Sequence, residues 1–357
     1  MISLLRHILR LIFSFSRFPI QDARARWSSL VFRLNFLHTH FMPPLPPLDP
    51  TQSPRVVVYH QTHYHNGAYV SILPLLTEKT GVTHVIVAAI HLNEPAGNIT
   101  LNDDPYKADK LQPLWSEVKQ LQAGGISVLG MLGGAAKGSF ARLDGAPAQF
   151  EAFYPPLKSM IEFAGFDGLD LDVEEDMSLP GIIRLIDRLR QDFGPSFTIT
   201  LAPVATALVG AKQLSGFSYF DLEKAMGRHV AWYNTQFYCG WGSVETTEHY
   251  DAIMACGWPA SKVVVGMVTN PGNGAGWVFE DLLMATLSVL RDEYPGFGGV
   301  MGWEYFNSLS SMHEGKGKPW LWVFGMSTVL RSEVGPVGEE EKKVTDNPFL
   351  QIVDQKG

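Results

Sequence analysis

Eight short, mostly apolar runs recur between residues 55 and 303, each separated from the next by a longer, more polar stretch. They are 55–59 (RVVVY), 83–90 (THVIVAAI), 127–132 (SVLGML), 168–173 (GLDLDV), 198–202 (TITLA), 230–238 (VAWYNTQFY), 263–268 (VVVGMV) and 298–303 (GGVMGW). Most alternate only weakly with polar residues, as parallel strands buried on both faces do. Amphipathic segments lie between them. Residues 110–123 stop at Gly124-Gly125. Residues 180–193 open after Ser178 and close at Gly194-Pro195. Residues 280–293 precede Pro295-Gly296. Each is bounded by the residues that start and stop helices. Strand and helix alternating eight times predict an α/β fold, a (β/α)8 TIM barrel forming a single domain. The 249 residues from Arg55 to Trp303 match the ~250 such a barrel needs. An open doubly wound sheet would call for a glycine-rich phosphate turn after the first strand, and Tyr59-His60-Gln61-Thr62 is not one.

The barrel leaves the two ends of the 357-residue chain unassigned. Residues 1–53 read as an N-terminal extension, 54–330 as the folded domain and 331–357 as a charged tail. Residues 1–41 hold six arginines and one acid, Asp22, a net of +5, which leaves −13 on the rest of a chain whose total is −8. Three readings of this segment stay open: an upstream extension outside the folded protein, a targeting peptide of the Arg-rich, acid-poor mitochondrial kind, or a membrane-surface helix. Basic residues break up its apolar run, so it does not form a clean secretory signal. A cytoplasmic location is favoured, with extracellular and mitochondrial ones open. No run approaches the ~20 apolar residues of a membrane span. The acidic balance argues against nucleic acid, and a monomer is expected. The two cysteines, Cys239 and Cys256, are too few for a disulfide framework and are expected to be buried thiols.

The fourth run carries chemistry. In FDGLDLDVEED, Asp170, Asp172 and Glu174 stand two residues apart, so on a strand they share one face. Leu169, Leu171 and Val173 take the other face, toward the helices. The acids then point into the barrel, with Glu174 nearest the C-terminal mouth where barrel enzymes work. Crowded, buried carboxyls raise one another's pKa, so the group should hold one or two protons at neutral pH and titrate as a unit. That keeps a proton available for general acid catalysis. A divalent cation wants ligands spread around it rather than strung along one strand. The histidines at 60, 63 and 65 are read as loop residues beside a cleft, so no metal and no cofactor are expected.

The spacing Asp167-x-x-Asp170-x-Asp172-x-Glu174 resembles the signature of glycoside hydrolase family 18, the chitinase family, and sits on the fourth of eight strands as it does there. Other stretches agree. Gly130–Gly134 (GMLGG) is similar to the family's Ser-x-Gly-Gly, with Met131 at the serine position. Gln236-Phe237-Tyr238 resembles the plant-type Gln-Phe-Tyr, and Gly299–Trp303 (GVMGW) resembles the strand that brings a tryptophan to the floor of the sugar site. The resemblance implies a retaining, substrate-assisted glycosidase. Glu174 would protonate the glycosidic oxygen. Asp172 would orient the substrate's acetamide to form an oxazolinium. Asp170 would share a proton with Asp172, and Asp167 would support the cluster. Tyr238 would donate to the acetamide oxygen, with Tyr233 as its alternate, and Trp303 would form the platform. Gln236, Tyr59, Gly133 and Gly134 would be lesser substrate contacts. Met131 leaves open what replaces the hydroxyl that a serine would bring beside Asp170.

The resemblance also implies an N-acetylglucosamine-containing substrate. Only 29 residues separate the seventh and eighth runs, too few for an additional α+β module, so a short, open cleft is expected. Chitin-type oligosaccharides are the first reading and the chitobiose core of N-glycans the second. A non-catalytic lectin is a third, disfavoured because Glu174 is present.

Overall fold

The structure, a computed structural model, describes residues 54–310 and 317–332. The expectations for residues 1–53, and for the tail beyond 332, lie outside the described residues. Eight parallel strands form the centre: β1 (Arg55–His60), β2 (His84–Asn93), β3 (Ser127–Gly133), β4 (Gly168–Asp172), β5 (Thr198–Leu201), β6 (Trp232–Gln236), β7 (Val263–Val268) and β8 (Gly299–Trp303). Neighbours in sequence are neighbours in space, and β1 pairs with both β8 and β2. That double pairing closes the (β/α)8 barrel and excludes the open sheet.

The strands are surrounded by α1 (Pro74–Thr77), α2 (Gln112–Ala123), α3 (Ser139–Asp144), α4 (Pro147–Ala164), α5 (Leu179–Phe193), α6 (Tyr219–Met226), α7 (Glu248–Ala255), α8 (Glu280–Glu293) and α9 (Trp320–Arg331). Helix α5 shows why they form. Ser178 Oγ accepts from the Gly181 amide at 3.1 Å, satisfying one of the N–H groups a helix start leaves open. Ile182, Leu185, Ile186 and Leu189 then repeat at helical spacing and are fully buried. Each contributes roughly 1.5–3 kcal/mol. Gly194, at φ 78°, ends the helix.

Strand periodicity divides the core in two. Leu169, Leu171 and Val173 belong to the shell between sheet and helices. Val57, Tyr59, Ile86, Leu129, Met131, Trp232, Val264 and Met301 fill the barrel interior. Between β7 and β8 the chain makes a short 3-10 turn, Pro271–Asn273, and then α8, so the rim there stays low. Among the described residues no helix is long and apolar enough to cross a membrane.

Several boundaries differ from the expectations. Strand β2 continues to Asn93 because its outer half pairs antiparallel with Asn98–Leu101. Helix α2 starts at Gln112, since Asp109–Leu111 forms a 3-10 turn before it. Strand β6 is shorter than 230–238: the 3-10 turn Gly227–His229 runs up to Val230 on one side, and the chain leaves the barrel after Gln236 on the other. Both cysteines, expected to be buried, are exposed and free. Cys239 occupies a left-handed turn after β6, at φ 54°, and Cys256 caps the exposed end of α7.

Candidate active site

Strand β4 delivers Asp170 and Asp172 to one face, and the chain just past its end brings Glu174. Asp170 is fully buried and Asp172 is buried above it. Glu174 follows at the mouth, where it lines a cleft of about 420 Å³ together with Asp172, Gly133, Gly134, Gln236, Tyr238, Trp241, Asn273 and Trp303. Gln236 Nε2 reaches both upper acids, at 3.3 Å from Asp172 Oδ1 and 3.2 Å from Glu174 Oε1, while donating to the Ala202 carbonyl at 2.9 Å. Among the described residues no Lys or Arg forms an ion pair with any of the three.

That lack of a cation has an electrostatic consequence. Burial lifts the Asp172 pKa well above the usual carboxylate range, and the nearby charges of Glu174 and Asp170 lift it further. Asp170 is raised by burial too, but its hydrogen bonds oppose the rise. Its Oδ1 accepts from Thr200 Oγ1 at 2.5 Å and Asn234 Nδ2 at 3.0 Å, and its Oδ2 accepts from the Tyr59 hydroxyl at 2.7 Å. Register explains the contacts: Asp170 lies opposite Met131 on one side and Thr200 on the other. The thioether of Met131 offers no donor, so the donors come from β1, β5 and β6.

Tyr238 is buried, 9% exposed, with its ring at the cleft. Burial, with the charges of Asp172 and Glu174 behind it, pushes its phenol pKa well up, so the hydroxyl keeps its proton. Tyr233 points the other way, donating to Glu223 on α6 at 2.7 Å, and cannot serve as the alternate. Trp303 is partly exposed and packs edge-on against Tyr59, with centroids 5.4 Å apart. Its carbonyl is held by Thr269 N at 2.9 Å and Asn273 Nδ2 at 3.0 Å. Gly133 and Gly134 stand at φ 97° and 86°. A Cβ at Gly133 would collide with the Phe140 ring and the Asp172 carbonyl, and Gly134 N donates to that carbonyl at 2.9 Å. They shape the wall against Asp172.

Three expectations need correction. Asp167 does not join the cluster: it is exposed at the opposite end of the barrel. There its Oδ2 accepts from Val128 N at 2.8 Å and Gln122 Nε2 at 3.0 Å. The cause is parity and distance, since three residues below Asp170 it falls on the other face, about 10 Å down the strand. Tyr59 is no substrate contact, being 2% exposed beneath the cleft and bound to Asp170. His60, read as a loop residue, is the fully buried last residue of β1. His63 Nε2 lies 3.2 Å from the His60 carbonyl, and His65 faces Phe306. Among the described residues no group of His, Cys, Asp or Glu is arranged to hold a metal.

Other parts of the site were not anticipated. Glu175 is buried and accepts from Gly138 N and Phe140 N, both at 2.8 Å, tying the β3 loop to the segment that carries Glu174. Asn234 was visible in principle, because a polar residue at even spacing from Gln236 and Tyr238 shares their inward face. Trp241 lines the cleft and also a second hollow of about 390 Å³ formed by Thr206, Ala211, Lys212, Cys239 and Gly240. The second hollow adjoins the cleft through Cys239 and Trp241, on the side of the loops that follow β5 and β6.

Comparison with known proteins bears on this geometry. The model of the family described as glycosyl hydrolases family 18 matches residues 55–278. Chitinase ChiC from Aspergillus fumigatus is 55% identical, with a TM-score of 0.72 over 76% of this chain and 98% of that one. A fungal endo-beta-N-acetylglucosaminidase from glycosyl hydrolase family 18 is 47% identical, with a TM-score of 0.75 over 78% and 98%. Chitinase 2 of Rhizopus oligosporus is 29% identical over 210 residues, 53% of this chain and 36% of that one. Chitinase D of Niallia circulans is 33% identical over 130 residues, 32% of this chain and 24% of that one. The matched stretches thus span less than two fifths of these last two relatives.

Proposed function

Because this chain belongs to glycosyl hydrolases family 18 and is a glycosidase, we propose that it cleaves the β-1,4 bond between N-acetylglucosamine units of a soluble oligosaccharide, with the substrate's own acetamide as nucleophile. One observation carries this reading. Asp172 and Glu174 line a single cleft with Tyr238 and Trp303, and no Lys or Arg among the described residues pairs with the acids. Such a cleft suits a substrate that brings a polar N–H to Asp172, an oxygen to Tyr238 and an apolar sugar face to Trp303.

The chemistry follows in two steps. Glu174 gives its proton to the glycosidic oxygen, and the leaving sugar departs as an alcohol. The acetamide oxygen attacks the anomeric carbon as that bond breaks, forming an oxazolinium. Asp172 accepts the acetamide N–H, and the Tyr238 hydroxyl donates to the acetamide oxygen, so the nucleophile is oriented before bond cleavage. Water then adds to the anomeric carbon and returns a proton to the Glu174 carboxylate, which reopens the acetamide and retains configuration. The leaving sugar would sit beside Trp241, where the cleft meets the second hollow.

A second reading, cleavage of the chitobiose core of N-glycans, is favoured by one observation: the 47% identical endo-beta-N-acetylglucosaminidase is covered over 98% of its length. Product analysis separates the two. The protein is incubated with chitohexaose and, separately, with a high-mannose glycoprotein. Short chito-oligosaccharides from the first establish the chitin-type reading, and a released glycan from the second establishes the other. Activity on neither overturns both.

A further inference from the structure

Beneath the carboxylates the barrel interior is not simply apolar. Asn234 stands between Asp170 and Trp232: its Nδ2 donates to Asp170 Oδ1 at 3.0 Å, and its Oδ1 accepts from the Trp232 indole Nε1 at 2.9 Å. An indole N–H can only donate. It therefore fixes which end of the Asn234 amide faces it, and Asp170 is left facing the NH2 end, which also can only donate. The indole is held in turn. The Arg55 guanidinium lies 4.5 Å from its ring centroid and the His84 ring packs edge-on at 4.7 Å, while Arg55 Nη1 is tied to the Ser261 carbonyl at 3.0 Å. Thr200 Oγ1 and Tyr59 Oη complete the shell around Asp170. Asp172 has no comparable set: its protein donor is Gln236 at 3.3 Å.

We propose that Thr200 and Asn234, with Trp232 acting through Asn234, are positioning residues that hold Asp170 as the anionic member of the cluster and so place the shared proton on Asp172, next to the substrate. This rests on the reading of Asp172 and Glu174 given above. Every donor on Asp170 stabilises its charged form, and the one donor that cannot reverse its role is locked from below. The proton therefore belongs one layer up. The groups facing the pair are Tyr59 on β1, Glu174 just past the end of β4, Tyr238 after β6 and Tyr219 on α6, with Arg55 and His84 below Trp232. The tyrosines stay protonated, as burial raises each of them. His84, pushed down to about 3 by burial and the Arg55 charge, stays neutral. That leaves the Asp170–Asp172 pair as the groups whose shared proton can move.

The test is the pH profile of kcat/KM for Trp232→Phe, Thr200→Val and Thr200→Ser, measured on the full chain with whichever oligosaccharide it hydrolyses. Trp232→Phe keeps an aromatic ring over Arg55 but deletes the indole N–H. Thr200→Val keeps the shape and deletes the hydroxyl. Weakening either support makes Asp170 easier to protonate, so the acid limb should move up by about one pH unit, with kcat falling more than KM changes. Thr200→Ser should return the limb to its wild-type position. The two deletions reach Asp170 from different strands, so one is sufficient if the other does not fold. Acid limbs that superimpose on wild type, even with reduced kcat, would overturn the proposal. Glu174→Gln tests the underlying reading separately. If it retains wild-type activity, that reading fails. If it is inactive while the acid limbs stay put, only the present inference fails.

Discussion

Two buried or half-buried acidic sites flank strand β6, one on each side. On the outer side Glu223 accepts from the Tyr233 hydroxyl at 2.7 Å and pairs with Lys262 Nζ at 2.6 Å. On the inner side Asp170, Asp172 and Glu174 crowd together, and their donors among the described residues are neutral. Tyr233 and Tyr238 are five residues apart, so their ring directions are opposite. One ring serves the outer pair and the other faces the cleft. The outer site is arranged as structural polar groups usually are, with each charge compensated. The inner site keeps its charge problem unsolved, which is costly for folding and useful to a substrate that supplies the missing partners. That contrast, more than the number of acids, is what singles out the inner site as the proposed place of chemistry.

The contrast can be broken by mutation. The largest effect is expected from Glu174→Gln, which removes the transferable proton at nearly constant shape. Hydrolysis should fall by ~10³-fold or more with the melting temperature little changed, as followed by product release and thermal denaturation. Tyr238→Phe removes the donor proposed for the acetamide oxygen, and kcat should drop on the order of 10²-fold while KM moves less. On the outer site, Glu223→Gln should leave kcat within about twofold. It should instead cost on the order of 1–3 kcal/mol of stability by leaving Lys262 and Tyr233 poorly matched, measurable by denaturant unfolding.

Asp172→Asn should act on stability in the opposite sense. The folded-state pKa of Asp172 is raised, so its contribution is most favourable below the unfolded value of ~3.9 and is lost as pH rises through the folded value. Removing the ionisable group relieves that loss. The variant should melt higher than wild type at pH 8, and the advantage should shrink as pH falls toward 4. An advantage independent of pH would mean that the carboxyl is not strained by its neighbours. The smallest effect is expected from Trp241→Ala, a several-fold rise in KM for substrates extended on the leaving side. A substrate with a small leaving group should show no such rise.

The barrel was legible because its period is simple. Eight apolar runs appear as eight strands, with boundaries shifted by a few residues where a 3-10 turn or an antiparallel extension intervenes. The inward acids were legible because Asp170, Asp172 and Glu174 obey a period of two inside a strand that burial should have kept apolar. Asp167 was misplaced by the same rule unheeded, since its odd offset from Asp170 sends it elsewhere. Thr200, Asn234 and Trp232 were missed because Thr and Asn in a strand look like ordinary alternation. Their importance comes from cross-strand register, which pairs Asp170 with Thr200 and Thr200 with Trp232. Exposed Cys239 depends on a backbone turn, and Trp241 on how two loops meet. Local pattern contains neither.

If the cleft enlists the substrate's acetamide as proposed, the thiazoline analogue of N-acetylglucosamine should inhibit the enzyme. That molecule mimics the oxazolinium and has no bond to cleave. Competitive inhibition is expected at concentrations well below the substrate's KM, because an intermediate-like ligand binds tighter than substrate, and it should weaken in Tyr238→Phe. An active enzyme indifferent to millimolar thiazoline would contradict it.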